Sequence, residues 1–382
     1  MQISGNIAGA REAFYGTVSW ENDRITSVTS LAECKADADW IVPGFIESHL
    51  HGLGNGNAEH GRAGLQEMIS VAPSTGITTM FPALASDTPE NMLEFVRIVR
   101  EMTSAPVAEN CCRVGGSHLE GPYLANEYAG GMNPAVLRMP DAGEVTLWLK
   151  EAQGTLKLVT IAPELPGAAE VIKLLVQAGV TVSAGHCGMS VEQLPQAVDA
   201  GLSRMCHLFD AYAGRMVVSG VSMPALTDEV IVNDKLMIEL ILDTFHVPPT
   251  LVKLAIRGAG ADRIIGITDA LQGTGLPDAI YSDCGRDYRL TNGGVCRLVD
   301  EPDIIVGSCL TMNRAFYNLV TVFGCTPVEA AKITASNTAR SLNIAHDTGA
   351  LEAGLRADIT VLKSDMLTVK QTICSGVEQF AI

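Results

Sequence analysis

Eight short apolar runs, at residues 41–51, 78–84, 113–120, 156–163, 181–186, 204–209, 237–243 and 263–269, alternate with stretches patterned as amphipathic helices. Strands that alternate with helices pair in parallel through crossover connections, and eight such units are the number that closes a barrel. The helical stretches carry their own punctuation. Asp87-Thr88-Pro89-Glu90 sets a cap before a proline-compatible first turn, after which Met92, Val96 and Val99 fall on one face. Val171, Leu174, Leu175 and Ala178 form a similar stripe ahead of Gly179, and Ser190-Val191-Glu192-Gln193 reads as a capping box with Gly201 as the stop. Stripes of this kind are core.

The two ends of the chain follow a different pattern. Gly16 to Trp20, a turn at Glu21-Asn22-Asp23, and Arg24 to Val28 read as a β-hairpin. Ala357 to Leu362 and Val369 to Cys374, with Gly376 as a turn, answer it from the C-terminus. Neither end can bury a face alone, so the two pair. The expected architecture is a (β/α)8 TIM barrel over residues 43–350, beside a small β-sandwich domain built from 1–42 and 351–382. Asn292-Gly293, between 287–290 and 295–298, reads as a hairpin inserted after the eighth run.

At 382 residues and 47% hydrophobic content the chain has ample core for this plan. A net charge of −17 excludes a surface for nucleic acid or anionic membrane, since both reward Lys and Arg clusters. The first 16 residues lack a basic region followed by an apolar core, and no apolar run approaches the roughly 18 residues of a membrane span. Ten cysteines without a C-x-x-C pair read as free thiols in a reducing cytoplasm.

Chemistry gathers where the runs end. His49 and His51 are spaced i, i+2, so on an extended strand both imidazoles face one side. Glu120, His186, His207 and Asp269 each close a run of their own. Taken singly, Asp269 is a cap and Glu120 a turn carboxylate. At the C-terminal rim of a barrel they converge, because active sites are built there. Imidazoles and carboxylates suit a divalent metal, one ion or two, with zinc first and iron, manganese or cobalt open. Asp269 is then the base that takes a proton from water and returns it to a leaving amine. His246, just past the seventh run, faces the same mouth, whereas His60 and His346 read as surface residues.

Several stretches resemble the N-acetylglucosamine-6-phosphate deacetylases of the amidohydrolase superfamily. They are Pro43 to Gly52, Ser117 to Tyr123, Ser183 to His186, His207-Leu208-Phe209, Ile267 to Ala270, Gly307 to Met312 including Leu310, and Gly349 to Asp358. The resemblance implies that Glu120, His186 and His207 hold one metal, that His49 and His51 belong to a second position, and that Asp269 is the acid and base. It also implies that His246 helps hold a sugar phosphate, and that the chain is a homodimer acting on an acetylated amino sugar.

Two positions depart from that pattern. The family's loop has a histidine, which polarises the acetyl carbonyl, where this chain has Met132, and a thioether cannot donate that hydrogen bond. The family has asparagine beside the phosphate, followed here by Ala211, where this chain has Asp210. A carboxylate about 4 Å from a phosphate costs about 4 kcal/mol per charge pair at an effective dielectric of 20. Arg215 matches the family's phosphate-binding arginine only loosely in spacing. The galacto epimer, an unphosphorylated acetamido sugar, an N-acyl amino acid, a cyclic amide and a non-catalytic barrel therefore stay open.

Overall fold

The computed structural model describes residues 1–283, 285–291 and 295–382. The first expected run divides at Gly44, with Trp40–Pro43 joining the sheet of the chain ends and Phe45–Glu47 opening the barrel. Space forces that choice of residue: a Cβ on Gly44 would lie 2.3 Å from the Thr78 side chain. The second run is likewise two strands, Ile77–Met80 and Ala83–Ala85. Between them stands Pro82, which has no N–H to give a ladder. The third is Arg113–Val114 and Ser117–Glu120, parted by Gly115 and Gly116.

Strands one to three begin as a parallel ladder of Phe45–Glu47, Ile77–Met80 and Arg113–Val114. A second parallel ladder runs from Ala83–Ala85 through Ser117–Glu120, Leu156–Ile161, Thr181–Ala184, Arg204–Met205 and Met237–Ile241 to Ile264–Ile267. Backbone bonds close the cylinder between its first and last members. Asp269 N donates to His49 O and His51 N to Ala270 O, both at 2.8 Å. That seam brings Asp269 beside the His-x-His pair.

The chain ends share one seven-stranded sheet in the order Val377–Ala381, Val369–Cys374, Ile359–Leu362, Trp40–Pro43, Gln2–Ala8, Ala13–Glu21, Arg24–Ala32. It curls back on itself, Ile25 N donating to Leu355 O, around a core that includes Ile7, Trp20, Ile41 and Ile359. Asp347 ties this sheet to the barrel: it bonds Arg24 Nη1 at 2.8 Å and Arg356 Nε at 3.0 Å, and lies 3.5 Å from Arg113.

Local signals fared unevenly. Thr88 caps Pro89–Ser104 by accepting from Asn91 N. At Ser190, half of the expected box forms, Ser190 N donating to Gln193 Oε1 at 2.9 Å, but the helix is Leu194–Ala200 because Pro195 suits its first turn. The expected turn at Asn292-Gly293 lies outside the described residues. Its flanks, Arg286–Leu290 and Arg297–Leu298, are antiparallel with Tyr288 opposite Leu298. Leu271, Tyr288 and Val306 pack together where this hairpin covers the barrel mouth.

Candidate metal centre

Three strand ends deliver four imidazoles to one carboxylate. Glu120 Oε1 lies 3.3 Å from His49 Nε2, 3.3 Å from His186 Nε2 and 3.0 Å from His207 Nε2, while its Oε2 lies 3.1 Å from His51 Nε2. Asp269 Oδ1 stands 3.2 Å from His51 Nε2 and 3.6 Å from His49 Nε2. All six side chains are buried. The six expected ligands therefore meet in one place, as two overlapping groups with Glu120 between them.

Backbone geometry at these ends is unusual. His186, His207 and Asp269 have φ of +48°, +20° and +51°, a region L-residues enter at a cost of order 1–3 kcal/mol. Each strand stops abruptly, turning its last side chain inward.

Which face each ring presents is set from behind. His49 Nδ1 lies 2.9 Å from Glu239 Oε2, and His186 Nδ1 lies 2.8 Å from the Tyr128 carbonyl. Those acceptors take the Nδ1 protons, so both Nε2 atoms present lone pairs. His186 Nε2 and His207 Nε2 face each other at 3.2 Å, and buried His49 Nε2 has no well-aligned hydrogen-bond partner. Lone pairs and carboxylate oxygens converging on one buried point fit a divalent cation. Burial pushes the Glu120 carboxyl up, but His49, His186 and His207 outweigh it and hold it well below the usual range. Asp269 is likewise held low, by His49 and His51 against burial. His51, which burial alone would lower, is pushed up to about 10 by Asp269 and Glu120.

A model of the amidohydrolase family matches residues 40–378. The N-acetylglucosamine-6-phosphate deacetylase of Bacillus subtilis (strain 168) is 30% identical over 380 residues, 98% of this chain and 92% of the relative. The chain belongs to the N-acetylglucosamine-6-phosphate deacetylase family of amidohydrolases. The N-acetylgalactosamine-6-phosphate deacetylase of Escherichia coli O157:H7 is 30% identical over 338 residues, 86% of this chain and 85% of the relative. The fold agrees with a solved mutant of the Mycobacterium smegmatis deacetylase in complex with N-acetyl-D-glucosamine-6-phosphate. Its TM-score is 0.90 at 29% identity, covering 100% of this chain and 99% of that one.

Above the ligands opens a cleft walled in part by Leu271, Tyr288 and Val306. Met132 and Asp210, the two departures from the family pattern, both line it. Four other residues expected at the substrate do not. Ala211 and Leu310 are absent from the lining, and Arg215 pairs with Asp228 Oδ1 at 2.5 Å with its side chain 60% exposed. His246 lies outside that lining as well, its Nδ1 2.7 Å from Asp243 Oδ2. Burial opposes charge on that ring, yet Asp243 outweighs it and keeps the imidazole above the usual histidine range. His60 and His346 are exposed, as expected.

Several contributors were not anticipated. Arg204 and Glu239, both fully buried, pair at 2.5 Å beneath His49, and Arg204 Nη2 also donates to Ser48 Oγ at 2.6 Å. The Arg204 charge outweighs burial and draws the Glu239 carboxyl down to about 2. His118 lies below as well, its Nε2 2.9 Å from Thr160 Oγ1 and its Nδ1 3.1 Å from Ser48 O. Cys206 falls within the ligand group too, although the sequence pointed to nitrogen and oxygen donors alone. Its Sγ is 3.6 Å from His49 Nδ1, the nitrogen already facing Glu239, and 3.8 Å from Glu120 Oε1.

Proposed function

We propose that this chain hydrolyses the acetamide of an N-acetylated amino sugar 6-phosphate, N-acetylglucosamine-6-phosphate or its galacto epimer, releasing acetate and the amino sugar phosphate. The observation that carries this reading is Glu120, faced by four imidazole nitrogens from three strand ends with Asp269 alongside, at the floor of a cleft. Glu120, His186 and His207 would hold one divalent cation, and His49, His51 and Asp269 a second, with zinc the first candidate. Such a cation lowers the pKa of water to about 7 and polarises an amide carbonyl.

The protein's own part follows from its charges. Asp269 is ionised at neutral pH, so a carboxylate oxygen accepts the proton of the attacking water and returns it to the leaving nitrogen, which departs as the amine. Burial of the floor excludes bulk water and strengthens each of these interactions. Cys34, Cys111, Cys112, Cys206 and Cys374 are free thiols, in keeping with a reducing cytoplasm. No described helix is long and apolar enough to cross a membrane. Met216, Val217, Val218 and Val221 are exposed on one hairpin, which supports a second copy covering it in a homodimer.

One observation favours a second reading. Asp210 places a carboxylate in the cleft, which opposes a phosphate and suits an unphosphorylated acetamido sugar. Free acetate is measured from both 6-phosphates and both unphosphorylated sugars, with and without chelator. Chelator-sensitive acetate release from a 6-phosphate is expected, and turnover of the unphosphorylated sugars alone would move the conclusion to the second reading.

A further inference from the structure

Asp269, which takes and returns the proton in the reaction above, stands at φ +51°, a conformation an aspartate does not hold unaided. Its neighbours on the chain are held at every point: all six backbone polar groups from Thr268 to Ala270 are engaged. Thr268 N donates to Glu47 Oε2 at 3.0 Å, Asp269 N to His49 O at 2.8 Å and Ala270 N to Thr268 Oγ1 at 3.3 Å. Thr268 O accepts from Ser308 Oγ, Asp269 O from Ser308 N at 2.6 Å, and Ala270 O from His51 N and Gly52 N at 2.8 Å each. Ser308 grips this strand end from one side and Glu47 from the other. We propose that Ser308 and Glu47 are positioning residues, a two-sided clasp that holds Asp269 in its strained backbone so that its carboxylate meets the attacking water. This assignment rests on the hydrolytic reading above.

Both members are fully buried, and neither lines the cleft, so they act through the residues they grip. Glu47 Oε1 accepts from His49 N at 2.8 Å while Oε2 takes Thr268 N. One carboxylate therefore fixes the spacing of the first and eighth strand ends across the seam, and the two N–H groups repay part of its burial. Ser308 Oγ also accepts from Leu310 N at 2.9 Å, which leaves its own hydrogen for Thr268 O. The glycine before it is a matter of space: a Cβ on Gly307 would lie 2.7 Å from Leu271 Cγ and 2.9 Å from Asp269 O, so a larger residue would push Ser308 off the strand end. Held this way, Asp269 Oδ1 stands 3.2 Å from His51 Nε2. A displacement of about 1 Å at a reacting group costs about 10² in rate, so a clasp that fixes the backbone by tenths of an ångström governs the chemical step.

The test compares wild type with Ser308→Ala, Ser308→Thr, Glu47→Gln and a control outside the cleft, Ser336→Ala, which loses a bond of 2.6 Å from Oγ to Gly349 O. At saturating zinc, Ser308→Ala and Glu47→Gln are expected to lower kcat on the amino sugar 6-phosphate that wild type turns over best by roughly 10- to 100-fold, with KM within about threefold. Zinc binding, titrated against a chromophoric chelator, should weaken by roughly tenfold in the same two variants. Ser308→Thr keeps the oxygen and should recover part of both losses, and Ser336→Ala should match wild type within about twofold. A raised KM at unchanged kcat would overturn the clasp, because Ser308 would then serve the loop to Leu310. So would kcat and zinc affinity at the level of the control, or a failure of both Ser308→Ala and Glu47→Gln to fold, which marks a support of the barrel rather than of Asp269. If wild type hydrolyses none of the amino sugars, the functional reading fails, while the zinc titration still decides the clasp: a loss in Ser308→Ala and Glu47→Gln alone upholds it, and wild-type affinity throughout sinks it.

Discussion

Replacing Glu239 by glutamine changes one atom type beneath the candidate centre, without removing volume. In the native chain Oε1 accepts from Arg204 Nε at 2.5 Å and Oε2 faces His49 Nδ1 at 2.9 Å, with neither Glu239 nor His49 exposed. An amide has one oxygen and one NH2, and the guanidinium can only donate, so the oxygen must stay on Arg204. The NH2 then meets His49 Nδ1, which has to become an acceptor, and the ring proton moves to Nε2, the atom aimed at Glu120 and Asp269. Loss of such a supporting acceptor typically costs 10- to 100-fold in metal affinity, about 1.4–2.7 kcal/mol. Separately, the Arg204 charge loses its buried counter-charge, which costs about 3–5 kcal/mol of stability against a typical total of 5–15 kcal/mol. The two effects have separate readouts: urea unfolding of the metal-free protein for the second, competition against a chelator of known affinity for the first. A Glu239→Gln protein that unfolds at the wild-type midpoint and holds its metal as tightly would refute the tautomer argument and the ion-pair argument together.

Three further outcomes are expected. Met132→His restores a hydrogen-bond donor in the cleft, and since one such donor is worth about 10²–10³ in rate, kcat for acetate release should rise at least several-fold; an unchanged kcat would mean that Met132 does not stand at the acetyl carbonyl. Cys206→Ser should leave metal content per chain unchanged, and a cobalt-loaded wild type should lack a thiolate charge-transfer band, because four imidazoles and two carboxylates already meet there without the thiol. At Asp347 burial pushes the carboxyl up, but Arg356 and Arg24 outweigh it and lower it, so its contribution is present above the unfolded value of about 3.9 and is lost as pH falls through the lower folded one. Asp347→Asn should therefore destabilise the protein by about 2 kcal/mol at pH 7, a gap that closes in acid, and a gap independent of pH would contradict the linkage.

The strand ends were legible because a barrel gathers them by topology alone: once eight runs are counted, the last polar residue of each must face one rim. His49, His51, Glu120, His186, His207 and Asp269 needed no knowledge of contacts to be named. Residues that reach the cleft across loops offered no such rule. Arg215 was matched to the phosphate loosely by spacing, yet it pairs with Asp228 and its side chain is 60% exposed, while His246, just past the seventh strand, is buried and paired with Asp243. Tyr288 sits on an inserted hairpin whose position over the mouth no local pattern dictates.

The layer beneath the rim lies between these cases, because its signal was present but unread. Glu239 interrupts the apolar strand Met237–Ile241, and Arg204 stands three residues before His207 in a strand equally buried. A charge inside a barrel strand is untenable alone, since its desolvation costs several kcal/mol, so two opposite ones on the sixth and seventh strands require each other. Those strands are parallel neighbours, with Arg204 in register with Met237 and Met205 with Ile238. The pairing that desolvation demands could therefore be met one step along the ladder. It also explains why the centre is precise: the ion pair is the fixed point against which Glu239 orients His49, and His49 is one of three rings converging on Glu120 Oε1.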